Sequence, residues 1–178
     1  SDKAHDVVSN SWGCPPSEGC TAGNEVQEAI ENLVAGGIVF VAAAGNSGSG
    51  CSTIFDAPAT YDASFTIGSM TSGDAMSDFS SRGPVAGSVG IKPDVIAPGS
   101  TIRSITRASD TAYTTMGGTS MATPHVAGLA ALWYQKGSSR GRTTPEKVLE
   151  AMNQAVRRAD DLGLAEEDVG NGVPQAPK

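Results

Sequence analysis

Residues 38–44 (IVFVAAA) form an unbroken apolar run of strand length, the pattern of a strand whose two faces are both covered. Ahead of it, Val26, Ala29, Ile30, Leu33 and Val34 recur at helical spacing on one face, which predicts an amphipathic helix ended by Gly36 and Gly37. Asn24 stands where a cap belongs, and Gln27, three residues on, completes a capping-box pattern. A shorter β-prone run at 6–12 (DVVSNSW) closes at Gly13 and gives way to a polar loop. Strand, helix and strand in this order imply parallel neighbours joined by a right-handed crossover.

Past Gly45 the chain becomes rich in Gly, Ser and Pro, interrupted by short apolar runs at 65–69 and 95–97 that predict two more strands. Segments 101–105 and 112–115 suggest a hairpin. Residues 121–136 are apolar nearly all round, which predicts a helix buried at the centre of a domain, with Pro124 in its first turn and Gly137 as its stop. A last helix opens with Thr144 as cap and Pro145 at its first position, its inner face lined by Val148, Leu149, Met152 and Val156, and the chain after Gly170 reads as irregular. The fold class expected is α/β: three layers, α/β/α, around a mainly parallel sheet.

A chain of 178 residues supports one domain with a real core. Hydrophobic residues at 39% and charged ones at 17% exclude a disordered acidic tail and a charged coiled coil. The net charge of -7, without any cluster of Lys and Arg, excludes nucleic acid as a partner, because phosphate binding draws on such clusters. No membrane is expected either, since the longest apolar stretches, 38–44 and 126–133, fall far short of the roughly 20 residues of a spanning helix. Three cysteines leave one without a partner in this chain; Cys14 and Cys20, flanking a tight PPSEG loop, are the favoured pair, and Cys51 is left over. Zinc is disfavoured because the spacing is not CxxC and neither histidine is near. The opening SDKAHDVVSNSWG carries neither an initiator Met nor a leader, so any targeting segment is expected outside this sequence, and the chain reads as a piece of something longer.

Two segments carry chemistry. In 117–128 (GGTSMATPHVAG) Ser120 sits among small residues where a loop turns into the buried helix, and a helix start offers unpaired N–H groups and a positive dipole end to a developing oxyanion. In 41–46 (VAAAGN) an apolar strand ends in Gly45 and Asn46. Taken singly, Ser120 would be a helix cap and Asn46 a left-handed turn residue. Together and in this order, they resemble the nucleophile and oxyanion-hole motifs of the subtilisin-like serine peptidases, the subtilases. FSSRGP at 79–84 and KPDVIAPG at 92–99 are also similar to signatures of that family, extending the resemblance over about residues 7–156.

The resemblance implies that residues 1–178 are the C-terminal half of a subtilisin-like peptidase domain. It implies a serine endopeptidase acting through an acyl-enzyme on Ser120, with Asn46 holding the oxyanion. Ser11, Trp12 and Gly13 would form one wall of the peptide groove, Ala43, Ala44 and Gly45 the other, with Gly118 and Thr119 beside the nucleophile. Trp12 replaces the aliphatic residue expected there. Asp56, just ahead of Pro58, falls near the floor of the family's specificity pocket and would favour basic residues at the cleaved position. The family's triad runs Asp, His, Ser along the chain, so the first two belong to a missing N-terminal half. Of the two histidines, His125 lies five residues along the helix from Ser120 and is expected to face elsewhere, and His5 lacks an HGT context. The chain alone is therefore expected to be inactive or nearly so. The alternative is a non-catalytic peptide-binding or assembly module that keeps the groove. The expected partners are a peptide or protein substrate and the missing half; no cofactor or metal is assigned to this chain, calcium being possible in the intact domain, and secretion is implied by the resemblance.

Overall fold

A computed structural model describes residues 5–20, 25–85, 88, 90–138 and 143–178. In chain order the elements are β1 (Val7–Asn10), a 3-10 turn at Pro16–Glu18, α1 (Glu25–Ala35), β2 (Val39–Ala43), β3 (Phe65–Met70), β4 (Val95–Pro98), β5 (Ile102–Ile105), β6 (Tyr113–Met116), α2 (Thr119–Ser138), α3 (Pro145–Gln154), β7 (Val156–Arg157), α4 (Ala159–Leu162), α5 (Glu166–Val169) and β8 (Val173–Pro174). The first four strands form one sheet in the order β1-β2-β3-β4, every pair parallel.

The continuous apolar run of β2 is explained by its two neighbours. Val39 and Val41 pack with Phe65, Ile67 and Val95 of the sheet against Ala122, Val126 and Ala130 of α2. The alternate residues Phe40 and Ala42 pack on the opposite face against Ile30 of α1. Side chains of a strand point alternately to either face, so a strand between two helices must be apolar at every position. The three-layer arrangement is thus α1, sheet, α2.

Several elements depart from expectation for identifiable reasons. Helix α2 begins at Thr119, two residues early, and passes through Gly137 to Ser138. Gly137 does not stop it: a Cβ there would lie 2.8 Å from Thr143 Oγ1, so the glycine lets the returning chain lie against the helix. Helix α3 ends at Gln154, which leaves Val156 in the two-stranded β7–β8 ribbon instead of on the helix face. The stretch after Gly170 is therefore ordered: β8 pairs with β7, and Ile96 of β4 donates its N–H to Gly172 O at 2.9 Å. Thr144 takes the cap position of α3 with extended backbone but without a side-chain cap bond. Asn24 lies outside the described residues; Gln27 donates to Glu31 Oε1 at 2.8 Å, and Ala29 is exposed. The hairpin forms as expected, Ile102 opposite Met116 and Ile105 opposite Tyr113. Cys14 and Cys20 are disulfide-bonded, and Cys51 is free and exposed.

A buried ion pair fixes the sheet's far side. Lys92, 2% exposed, places its ammonium 2.7 Å from Asp94 Oδ2 and donates also to Ser64 O, while Thr66 N donates to the same carboxylate at 2.6 Å. Burial pushes the Asp94 carboxyl up, and the Lys92 ammonium and the Thr66 amide pull it back down.

Candidate active site

The carboxyl ends of β1 and β2 and the start of α2 meet at one point, the place where open parallel sheets commonly hold their ligands. The chain leaves β1 into Ser11, Trp12 and Gly13, all exposed, and leaves β2 through Ala44 into Gly45 and Asn46. Gly45 has φ +103, a left-handed backbone that suits glycine. Between them α2 opens with buried Thr119 and half-buried Ser120.

Thr119 ties the three segments together. Its backbone N–H donates to Asn46 Oδ1 at 2.9 Å and its hydroxyl donates to the same oxygen at 3.1 Å, while that hydroxyl accepts Gly45 N–H at 3.2 Å. Two donors on Oδ1 settle the orientation of the amide, so Nδ2 faces away from Thr119. A Cβ built on Gly118 would lie 3.6 Å from Asn46 Nδ2 and 3.7 Å from Ser120 N, so both donors border the space over Gly118, which the glycine keeps open.

Ser120 is also bound to the β1 side. Its hydroxyl donates to Ser11 O at 3.0 Å, and the Ser11 hydroxyl donates to Ser120 O at 3.1 Å. Ser120 O is available because Pro124, four residues on, has no N–H to give it. Pro124 thus lies in the second turn of α2, one turn deeper than expected, and frees a carbonyl at the site instead of merely being tolerated.

Sequence reasoning placed Ser11, Trp12, Gly13, Ala43, Ala44, Gly45, Asn46, Gly118, Thr119 and Ser120 near one another, and the structure brings them to the same edge of the sheet. His125 does not face wholly away: it borders, with Ser120, Met121, Pro124, Ile102, Arg103 and Ser104, an open groove of about 340 Å3. Its Nδ1 is engaged with Met121 O at 2.8 Å. His5 lies at the opposite end of β1, about 20 Å of extended chain from Ser11.

Ser81, in the FSSRGP segment, is a supporting residue that the sequence analysis does not assign to the site. Fully buried, it accepts Ser47 N–H on its hydroxyl at 3.0 Å and donates its own N–H to Gly45 O at 3.0 Å, clamping the turn that carries Asn46. The FSSRGP motif was the available signal. Among the described residues no group of three or more His, Cys, Asp and Glu side chains could hold a metal ion, and no metal-dependent step is derived.

A parallel α/β sheet with a serine at the mouth of a helix packed on that sheet, set beside an asparagine amide at a strand end, defines the broad class. The comparisons narrow it. The sequence model of the Subtilase family matches residues 1–172, and the chain belongs to that family. It is 44% identical over 132 residues to Subtilisin DY of Bacillus licheniformis, an alignment covering 74% of this chain and 43% of the relative. It is 38% identical over 138 residues to Alkaline serine exoprotease A of Vibrio alginolyticus, covering 78% and 24%. The solved structure of the Prenylagaramide maturation protease PagA superposes with a TM-score of 0.76 at 24% identity, covering 96% of this chain and 58% of that one, a likeness of fold. The chain thus spans less than half the length of these two sequence relatives.

Proposed function

We propose that this chain is the nucleophile-bearing half of a subtilisin-like serine endopeptidase, with Ser120 as nucleophile and Asn46 as oxyanion donor. The observation that carries the reading is the pair of donors, Asn46 Nδ2 and Ser120 N, bordering one space over Gly118, 3.6 and 3.7 Å from a Cβ built there. In the reaction Ser120 Oγ adds to the substrate carbonyl carbon and gives its proton to a base on a complementing segment. The carbonyl oxygen takes the electron pair between the two N–H donors, the amine leaves with the proton, and water hydrolyses the Ser120 ester. The donors are set in advance by Thr119 and Ser81, so they need little reorganisation as charge develops. The peptide would lie along Ser11–Gly13 as an added strand. Secretion is part of this reading through membership of the family, and calcium belongs to the proposal for the intact domain only.

Neither histidine of this chain hydrogen-bonds Ser120 among the described residues, and the Ser120 hydroxyl is spent on a carbonyl. A serine without its base retains only some 10³–10⁴-fold catalysis over water. A labelled fluorophosphonate tests the assignment. The chain alone should show no stoichiometric labelling; with an N-terminal subtilase half supplied as a second polypeptide, label should appear on Ser120 and vanish in Ser120→Ala. Asn46→Ala in that complex should lower turnover by about 10²–10³, the loss known for such a donor in subtilisin itself. A folded complex that takes no label would favour the second reading, a non-catalytic peptide-binding or assembly module, which the engaged Ser120 hydroxyl supports.

A further inference from the structure

The candidate nucleophile and the wall of the peptide groove occupy each other. Ser120 Oγ donates to Ser11 O at 3.0 Å and Ser11 Oγ donates to Ser120 O at 3.1 Å, so two hydrogen bonds join the same two residues across 109 positions of chain. The two bonds do different work. Ser120 O has lost its helical partner to Pro124, and the Ser11 hydroxyl takes that partner's place. The Ser120 hydroxyl makes up no such deficit, since at a half-buried position it can bond to water as well.

Bonding along residues 10–14 shows which acceptors the wall has left. In extended chain the N–H and C=O of one residue point to the same side, and successive residues alternate. Asn10, 5% exposed, donates Nδ2 to Trp12 O at 3.0 Å, and Cys14 N–H donates to Ala57 O at 2.7 Å. Residues 12 and 14 therefore spend their polar groups on the protein itself. By the same alternation residues 11 and 13 turn theirs to the side where an added strand would lie. Ser11 O is the acceptor on that side next to the nucleophile, and it is the one that the Ser120 hydroxyl covers.

We propose that this contact is an autoinhibitory latch: in the chain without its complement, the Ser120 hydroxyl closes the peptide groove by occupying Ser11 O. The inference rests on the groove and the nucleophile assigned under the proposed function, and it names the regulation of that same site. A peptide entering along Ser11–Gly13 has to displace the hydroxyl before its own N–H can donate to Ser11 O. A base that draws the Ser120 hydroxyl toward itself uncovers the same carbonyl. Base and peptide thus favour each other's binding, and linkage makes the effect equal in both directions. One hydrogen bond between uncharged groups is at stake, which corresponds to about 3–10-fold in affinity.

The test is amide NMR titration of this chain with the N-acetyl tetrapeptide amide Ala-Ala-Ala-Leu. Ser120→Ala removes the hydroxyl and keeps Ser120 O, so the Ser11 hydroxyl still holds the wall in place. The variant should bind the peptide about 3–10-fold more tightly than the unmodified chain and shift the amides of Ser11, Trp12 and Gly13. Methylating the leucine nitrogen removes the donor that would meet Ser11 O, and the gain should then vanish. The amide spectrum reports the variant's fold, and Ser120→Gly serves in its place should the alanine variant not fold. Equal affinity of the two chains, weaker binding by Ser120→Ala, or a gain that survives methylation overturns the latch and leaves the groove standing. Binding by neither chain overturns the groove and the latch together.

Discussion

The Thr119 hydroxyl is both donor and acceptor at the site: it donates to Asn46 Oδ1 and accepts Gly45 N–H. Thr119 is 1% exposed and its hydroxyl bonds to Gly45 and Asn46 are part-buried, so the Gly45 N–H loses its partner when the oxygen is removed. Thr119→Val keeps the shape and deletes the oxygen. Leaving a buried donor unsatisfied costs about 1–3 kcal/mol, which urea unfolding should show as a lower midpoint. The Asn46 side chain would also lose one of its two restraints, and its side-chain amide resonances should broaden. Thr119→Ser should restore both readouts, because the hydroxyl alone is the working group. An unchanged midpoint in Thr119→Val would mean that Asn46 is held by the backbone N–H of Thr119 and the turn.

Elements are joined by similar single contacts, and one of them has a pH signature. Tyr134 of α2 donates its hydroxyl to Gly37 O at 2.9 Å, tying the central helix to the turn between α1 and β2. Burial first, then Asp6 and Glu146, push its phenol up to about 12 from the ordinary 10.0. A folded value above the unfolded one means that the native state keeps its proton longer. The contribution is therefore fully present below about pH 10 and lost as pH rises through about 12. Urea midpoints measured from pH 9 upward should fall over that window. Tyr134→Phe should start about 0.5–1.5 kcal/mol lower and lose the part of the decline that belongs to this group.

Much at this scale was legible where period and burial agree: β2 reads apolar at every position because helices cover both faces. α2 reads apolar nearly all round and so predicts a fully buried helix, but it packs on the sheet and on α3 along one side, and the other side, with Leu132 at 45%, is exposed. The ends were less legible. Gly137 looks like a stop in the sequence, but its purpose is a contact with Thr143, six residues away, that no local pattern contains. The β7–β8 ribbon is two residues wide and its partner strands are separated by α4 and α5, so alternation has no length over which to appear. The site followed the same division. Ser120 and Asn46 stood out through their local context, whereas Ser81 and the role of Pro124 depend on which carbonyl and which turn the fold brings beside them.

On the scale of the whole molecule, the sheet is lopsided. β4 is flanked by Gly172 and the β8 ribbon, whereas β1, with exposed Ser9, ends the hydrogen-bonded order on the other side. An open strand edge is a template for pairing with another chain. Near the candidate site the β5–β6 hairpin adds apolar surface: Ile105 is 75% exposed, Tyr113 54% and Met116 53%. Arg103 stacks its guanidinium 4.1 Å over the Tyr113 ring on the face that carries Ile105, and Met116, opposite Ile102, lies on the hairpin's other face. A domain that buried these surfaces on its own would not show them, and the relatives' greater length is consistent with a further segment covering them. Isolated, the chain should therefore self-associate, with a sedimentation coefficient that rises with concentration. Ile105→Lys combined with Met116→Lys should weaken that association if the hairpin drives it. Val8→Pro, which removes a backbone donor from β1, should weaken it if the strand edge does, provided the variant retains its native spectrum. Adding an N-terminal subtilase half should abolish the concentration dependence in the unmodified chain. A chain that stays monomeric at every concentration would show that the hairpin and the edge are too small or too polar to act as docking surfaces, and would count against the two-part domain.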